Sequence, residues 1–335
     1  NPDKYYFLIL FIILSLLSYL RYSSIHTGIF DLGVYTSTLF KFSSLSYYES
    51  IFIGHSSPYL IFYSLVYSFF SVTGVLTLQS AVIAYTAYFV KKHFGVLTFI
   101  AYISYFALWF NALFDFHIDH LSILFLLFFF KSAQKGKIGK ALMYAIALAL
   151  VKEVFALQTI MCGFYLLASN WRSKNTLNIY LCSIGIIVFG LGYFYLATHY
   201  IIPLFSSGND FVSIYSEAFS YLGSSISEVF KYLFTHPVEI LVEFLTNQGK
   251  LIYLIALFGA LGFVPLLKPG PLIVALPILA ISLLSKHEGY YGLGHHYTAG
   301  LIAPMIFAFA GGLPRAKIIW HKIGFFTKWF LTTLV

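Results

Sequence analysis

Apolar residues dominate this chain in long runs that end at charge, glycine or proline, and polar positions are confined to the gaps between them. The runs fall at 5–21, 75–90, 95–113, 119–131, 139–152, 154–170, 178–200, 250–267, 271–285, 297–312 and 319–335. Many approach the roughly 20 residues that cross a bilayer as a helix. The pattern predicts an all-α polytopic membrane protein with about eleven transmembrane helices. A further uncharged run, 57–73, reads as a helix lying in or re-entering the external interface, because Ser57, Tyr59, Tyr63, Ser64, Tyr67 and Ser68 spread hydroxyls along it. Three gaps are expected to be external loops: 22–74, 201–249 and 286–296. In the second, SEAFSYLGSSISEVFKYLFTHPVEILVEFL reads as short amphipathic helices with Glu217, Glu228, Glu239 and Glu243 on their wet faces. No internal repeat breaks the pattern, so residues 1–335 are expected to form a single membrane domain. The first run lacks a small-residue cleavage site and should remain as an anchor, while the terminal LTTLV suggests that a further region follows.

Composition narrows the class. The chain is 60% hydrophobic and 10% charged, with a mean hydropathy of +0.85, whereas soluble domains carry roughly 25% charged residues. A soluble globular enzyme is excluded. Its 37 Phe and 27 Tyr exclude disorder, and two cysteines, Cys162 and Cys182, exclude a disulfide scaffold. Lysine and arginine gather in short gaps: Lys91 with Lys92; Lys131, Lys135, Lys137 and Lys140; Arg172 with Lys174; and Arg315, Lys317 and Lys322. Placing these gaps inside gives a multi-pass protein of the cell membrane with a cytoplasmic N-terminus. In a soluble chain the formal net charge of +8 would point to nucleic acid. Sorted by side, however, thirteen basic residues and one acid lie inside, net +12, six basic residues and eleven acids lie outside, net −5, and Lys328 within the last span supplies the remaining +1. No nucleic-acid partner is implied. Membrane insertion explains the bases; the one-sided acids need another reason.

Four polar constellations are candidates for that reason. In GIFDLGVY, Gly28 to Tyr35, Asp31 is available as a general base or metal ligand, or as the cap of an interfacial helix 32–42. In FDFHIDHL, Asp115, His117, Asp119 and His120 crowd four ligand-type side chains into six residues. On a helix, Asp115/Asp119 and His117/His120 would each share a face. Such a set suits a divalent cation, Mg²⁺ or Mn²⁺ ahead of Zn²⁺, unless it is an ordinary wet turn. In LVKEV, Lys152 and Glu153 occupy a tight hairpin where Lys152 can meet a lipid phosphate or simply pair with a neighbour. KHEGYYGLGHHYTAG, with His295, His296 and Tyr297, makes a polar loop able to close over a ligand, or an exposed surface loop. His55 adds an imidazole to the first loop. The histidines cluster at one surface rather than at matched depths within spans, which argues against haem. Ionisable residues strung through the helices, as a channel requires, are lacking.

Taken in order, FDLGVY, HSSPYL, FDFHIDHL, LVKEV and HHY resemble the prokaryotic predicted membrane proteins called domain of unknown function 2079 (DUF2079), from about Phe30 to Ala303. That family is similar, distantly, to the GT-C glycosyltransferases, which include protein mannosyltransferases, the aminoarabinose transferases of lipid A and the catalytic subunit of oligosaccharyltransferase. The resemblance implies a GT-C-like fold with interfacial helices in the first and a later external loop. It implies transfer of a sugar from a polyprenyl-phosphate donor to an acceptor at the external face. Asp31 matches the first-loop acid that serves there as base or orients the acceptor, and Asp115 or Asp119 the second-loop acid that binds a cation. His55, Lys152, Glu153, His295, His296 and Tyr297 are the candidates for binding substrate and phosphate. A WWDYG-type motif and an adjacent Asp-Glu pair are missing, which leaves the acceptor open. The competing readings are a non-catalytic GT-C-like subunit of a larger membrane complex and a transporter of lipid-linked sugar.

Overall fold

The computed structural model describes residues 3–27, 29–44, 52, 54–170, 176–205, 218–223 and 226–333. Gly28, Glu49, Arg172, Lys174, Asp210 and Glu217 lie outside the described residues. Regular structure among the described residues is helical throughout: α1 Asp3–Ser23, α2 Ile29–Ser43, α3 Leu60–Phe94, α4 Val96–Ile103, α5 Phe106–Leu113, α6 His120–Gln134, α7 Ile138–Ala149 and α8 Glu153–Asn170. Then come α9, Thr176–Leu196, continuing through a π turn to Phe205, α10 Ile226–Thr235, α11 Pro237–Thr246, α12 Gln248–Gly259, α13 Leu276–Leu284 and α14 Ala299–Thr333.

Four of these stretches are long and apolar enough to cross a membrane: Lys4–Ser23, Leu60–Phe94, Leu177–Phe205 and His296–Lys322. Two bent pairs, α4 with α5 at 52° and α11 with α12 at 78°, raise the number to six if each is one span. The eleven expected crossings are thus not matched by eleven long helices. Runs 119–131, 139–152 and 271–285 fold as shorter apolar helices. The 12-residue α7 is about 18 Å long, against a hydrocarbon core of about 30 Å. A reversal of the backbone explains one of the differences. Run 250–267 stops at Gly259 because the chain turns left-handed at Gly262 and Phe263, φ 58° and 55°, and 3₁₀ turns at Val264–Leu267 and Gly270–Ala275 follow. The runs that begin at 297 and 319, by contrast, feed the single helix α14, Ala299–Thr333, which continues through Pro304 and Pro314.

The run 57–73 enters α3 together with the run after it. At 1.5 Å per residue, 35 residues would reach about 50 Å, more than a bilayer core requires. Ser71 breaks the helix at φ 56°, ψ −158°, separating a first segment from the Val72–Phe94 shaft. That shaft packs on α6, and α6 packs in turn on α14, with Ile83, Val90, Phe129, Phe130, Ile302 and Ile306 in one core and nearly closed to solvent. Large apolar side chains such as Ile9, Ile12, Leu16, Leu181, Val188 and Leu191 instead stand exposed along α1 and α9. A soluble protein seldom shows so large an apolar surface; lipid accepts it.

Helices α8 and α9 approach closely where each presents glycine. A Cβ on Gly190 would sit 2.8 Å from Ile160 Cγ1 and 2.9 Å from the Ala156 carbonyl, whereas one on Gly192 would meet nothing within 4 Å. Small residues let membrane helices approach in this way. Gly190→Leu should therefore destabilise the protein by about 1–3 kcal/mol through overpacking, while Gly192→Leu should leave it unchanged. Thermal unfolding in detergent reads the difference, and equal melting temperatures would refute the contact.

Candidate functional site

Chain direction explains why the polar motifs meet. The end of α1, the start of α3, the end of α5, the start of α6, the α7–α8 turn and the start of α14 all come to one end of the bundle. Arg21, in the last turn of α1, donates to the carbonyl of Phe114 at 3.3 Å, so the exit of α1 is tied to the exit of α5.

Residues 114–119 form a loop rather than the helical turn in which Asp115 and Asp119 would share a face; helix α6 begins only at His120. The loop is clamped by Gln79 of α3. Its amide nitrogen donates to the carbonyls of Ala112 at 3.3 Å and Asp115 at 2.9 Å, and its oxygen accepts from the His117 amide at 3.1 Å. The imidazole of His117 thereby points toward residues from distant parts of the chain. Its Nε2 lies 3.7 Å from Asp31 Oδ2, and its ring stacks on that of His296 with centroids 3.4 Å apart at 13°. His296 Nε2 lies 3.6 Å from Asp119 Oδ2, and Lys152 Nζ lies 3.9 Å from Asp119 Oδ1.

Among the described residues, Asp31, His117 and His296 bring one ligand-capable atom each to within 4.8 Å of one another. This differs from the set expected from spacing. Of Asp115, His117, Asp119 and His120, His117 alone enters the group. Asp119 stands beside it as a bridge between His296 and Lys152. His120 is engaged otherwise: Nε2 with the Tyr63 hydroxyl at 2.6 Å and Nδ1 with the His117 carbonyl. Asp115 is buried, and its carbonyl holds the Gln79 clamp.

The remaining candidates surround this centre. Glu153 is 1% exposed, accepts from the Ser56 amide at 2.9 Å and pairs with His55 Nδ1 at 2.7 Å. Tyr297 lies against His296 at 4.2 Å and stacks on Tyr290 at 4.5 Å. His295 is half-buried and meets the ring of Phe114. Burial lowers the pKa of His117 well below the ordinary imidazole range and raises that of Asp119, with Lys152 pulling the latter back. A neutral imidazole keeps a lone pair to offer.

Several positioning residues carried no motif. Gln79 is one. Asn111 donates to Thr298 Oγ1 at 2.7 Å, and Gln158 to the carbonyls of Val274 and Gly300 at 2.9 and 2.8 Å, fixing the chain on either side of the α14 start. Their sequence signal is a solitary carboxamide in an otherwise apolar run, which a bundle interior tolerates only when satisfied. Gln79→Leu strands two carbonyls and one amide, so stability should fall by about 1–3 kcal/mol or more. Unfolding in detergent measures this; a variant that melts with the wild type would remove Gln79 from the clamp.

Searches among curated proteins and among solved structures give no match. The sequence profile of the predicted membrane proteins designated DUF2079 matches residues 21–329, which takes in every residue of the cluster. The chain belongs to that family.

Proposed function

We propose that this chain is a GT-C-like glycosyltransferase that moves a sugar from a polyprenyl-phosphate donor to an acceptor at the external face of the membrane. The observation that carries this reading is the meeting of four motifs, distant in sequence, in one buried polar cluster: Asp31, the 115–119 loop, the Lys152–Glu153 turn and His296. Ionisable groups gathered at the ends of apolar helices are costly, and a protein that keeps them has a use for them.

Exposure and charge divide the roles. The side chain of Asp31 is about a third exposed, so an acceptor hydroxyl can reach it while the groups behind it stay dry. Its carboxylate takes the hydroxyl proton as that oxygen attacks the anomeric carbon. The bond from that carbon to the donor phosphate breaks, and its electron pair leaves with the phosphate oxygen. Lys152 supplies positive charge to the departing phosphate in a water-poor setting. The stacked rings of Tyr290 and Tyr297 offer an aromatic face for a sugar ring. The exposed apolar sides of the helices suit the polyprenyl chain.

Membranes carrying Asp31→Asn or Lys152→Met, supplied with a radiolabelled polyprenyl-phosphate sugar, should transfer sugar about 10²-fold more slowly or worse at equal levels of folded protein. Full transfer by both variants would overturn the reading and favour a non-catalytic subunit.

A further inference from the structure

We infer that Asp31, His117 and His296 form a binding site for one divalent transition-metal ion, with Zn²⁺ preferred over Mg²⁺. The proposal goes beyond sugar transfer, since the ion is counted directly and without substrate.

Three observations carry it. Asp31 Oδ2 and one nitrogen from each imidazole lie within 4.8 Å of one another, and the Asp31–His117 pair is already at 3.7 Å. Ligand atoms about 2.1 Å from a tetrahedral ion stand roughly 3.4 Å apart, so side-chain rotation alone brings the three into place. Second, His117 and His296 are each 4% exposed, yet neither nitrogen of His117 has a hydrogen-bond partner and neither does Nδ1 of His296. Buried polar atoms are nearly always satisfied; an ion ligated by one nitrogen of His117 and by Nδ1 of His296 satisfies two of these three. Third, Asp119 Oδ2 lies 3.6 Å from His296 Nε2 while its other oxygen faces Lys152. A carboxylate beside a ligating imidazole orients the ring.

The donor set selects the ion. Two imidazoles with one carboxylate suit Zn²⁺ and its neighbours, whereas Mg²⁺ requires oxygen. Three protein ligands leave a coordination position open, as in catalytic zinc sites. In the parallel stack the in-plane lone pairs of the two rings lie in nearly parallel planes. Shared coordination therefore turns one ring about its Cβ–Cγ bond, which breaks the stack. Asp31 contributes one oxygen to the ion, and its second oxygen remains for proton transfer.

The full chain, purified in detergent, stripped with EDTA and dialysed against micromolar zinc alone, should hold about one ion per chain by elemental analysis. His117→Ala, His296→Ala and Asp31→Asn should each weaken binding about tenfold or more. His199→Ala and His236→Ala, at exposed or half-exposed positions, should not. Cobalt in place of zinc should give visible absorption that the first three variants lose. If the alanine variants fail the melting and gel-filtration checks, Asp31→Asn, nearly isosteric and partly exposed, decides. Wild-type protein without bound zinc, or Asp31→Asn binding it as tightly as wild type, would overturn the site. Either result would leave the transferase reading standing, whereas loss of transfer with zinc retained would separate the two in the opposite sense.

Discussion

Asp119 and Lys152 stand 3.9 Å apart, both nearly closed to solvent, and neither charge is tolerable in an apolar bundle without the other. Much of the architecture at this end serves that requirement. The α7–α8 turn must deliver Lys152 to the loop before α6, and the loop must hold Asp119 facing it. Gln79 fixes the loop from α3, Arg21 fixes its start from α1, and Gln158 fixes the opening of α14 so that His296 reaches the second oxygen of Asp119. The charge of Glu153 is met by the Ser56 amide and His55, which bind the segment before α3 to the same turn, and by the neighbouring Lys152. Five lengths of chain are thereby held together by polar contacts: α1, α3 with the segment before it, the loop before α6, the α7–α8 turn and the opening of α14.

The sequence made the chemistry of this end legible and its geometry only in part. Asp31, His117, Asp119, Lys152 and His296 announce themselves as ionisable residues at the edges of apolar runs, where they are too costly to be incidental. Which of them meet was not legible, because the pairing depends on helix directions and on a loop conformation. Local spacing favoured Asp115 with Asp119 and His117 with His120, a rule that holds on a helix and fails in a loop. His120 lies one residue too far along; as the first residue of α6 it turns to Tyr63. Hydropathy likewise found the apolar segments but not their lengths. Apolar character does not distinguish a spanning helix from a short one, and the left-handed turn at Gly262 and Phe263 ends a helix that the apolar residues beyond it would extend.

The opposite end of the bundle handles charge by other means, and the contrast explains why the acids and the bases carry different information. There α3, α6 and α8 end around a cavity of about 480 Å³ lined by His93, Gln134, Asn170 and Lys268. Lys91 lies over the ring of Tyr6 at 4.2 Å, and Lys131 over Phe94 at 5.0 Å while donating to Gln134. These lysines lay their stems along apolar surface and keep their ammonium groups near solvent, which costs little and requires no exact partner. Such a base can move a residue along the chain with small effect, and its role in orienting the chain depends on number rather than position. Asp119 and Glu153 have no such latitude. Each is buried among specified partners, so displacement by one residue would strand a charge. Net charge treats the two ends alike, yet only the buried one demands a particular arrangement of side chains. That is the arrangement a reaction or a bound ion can use.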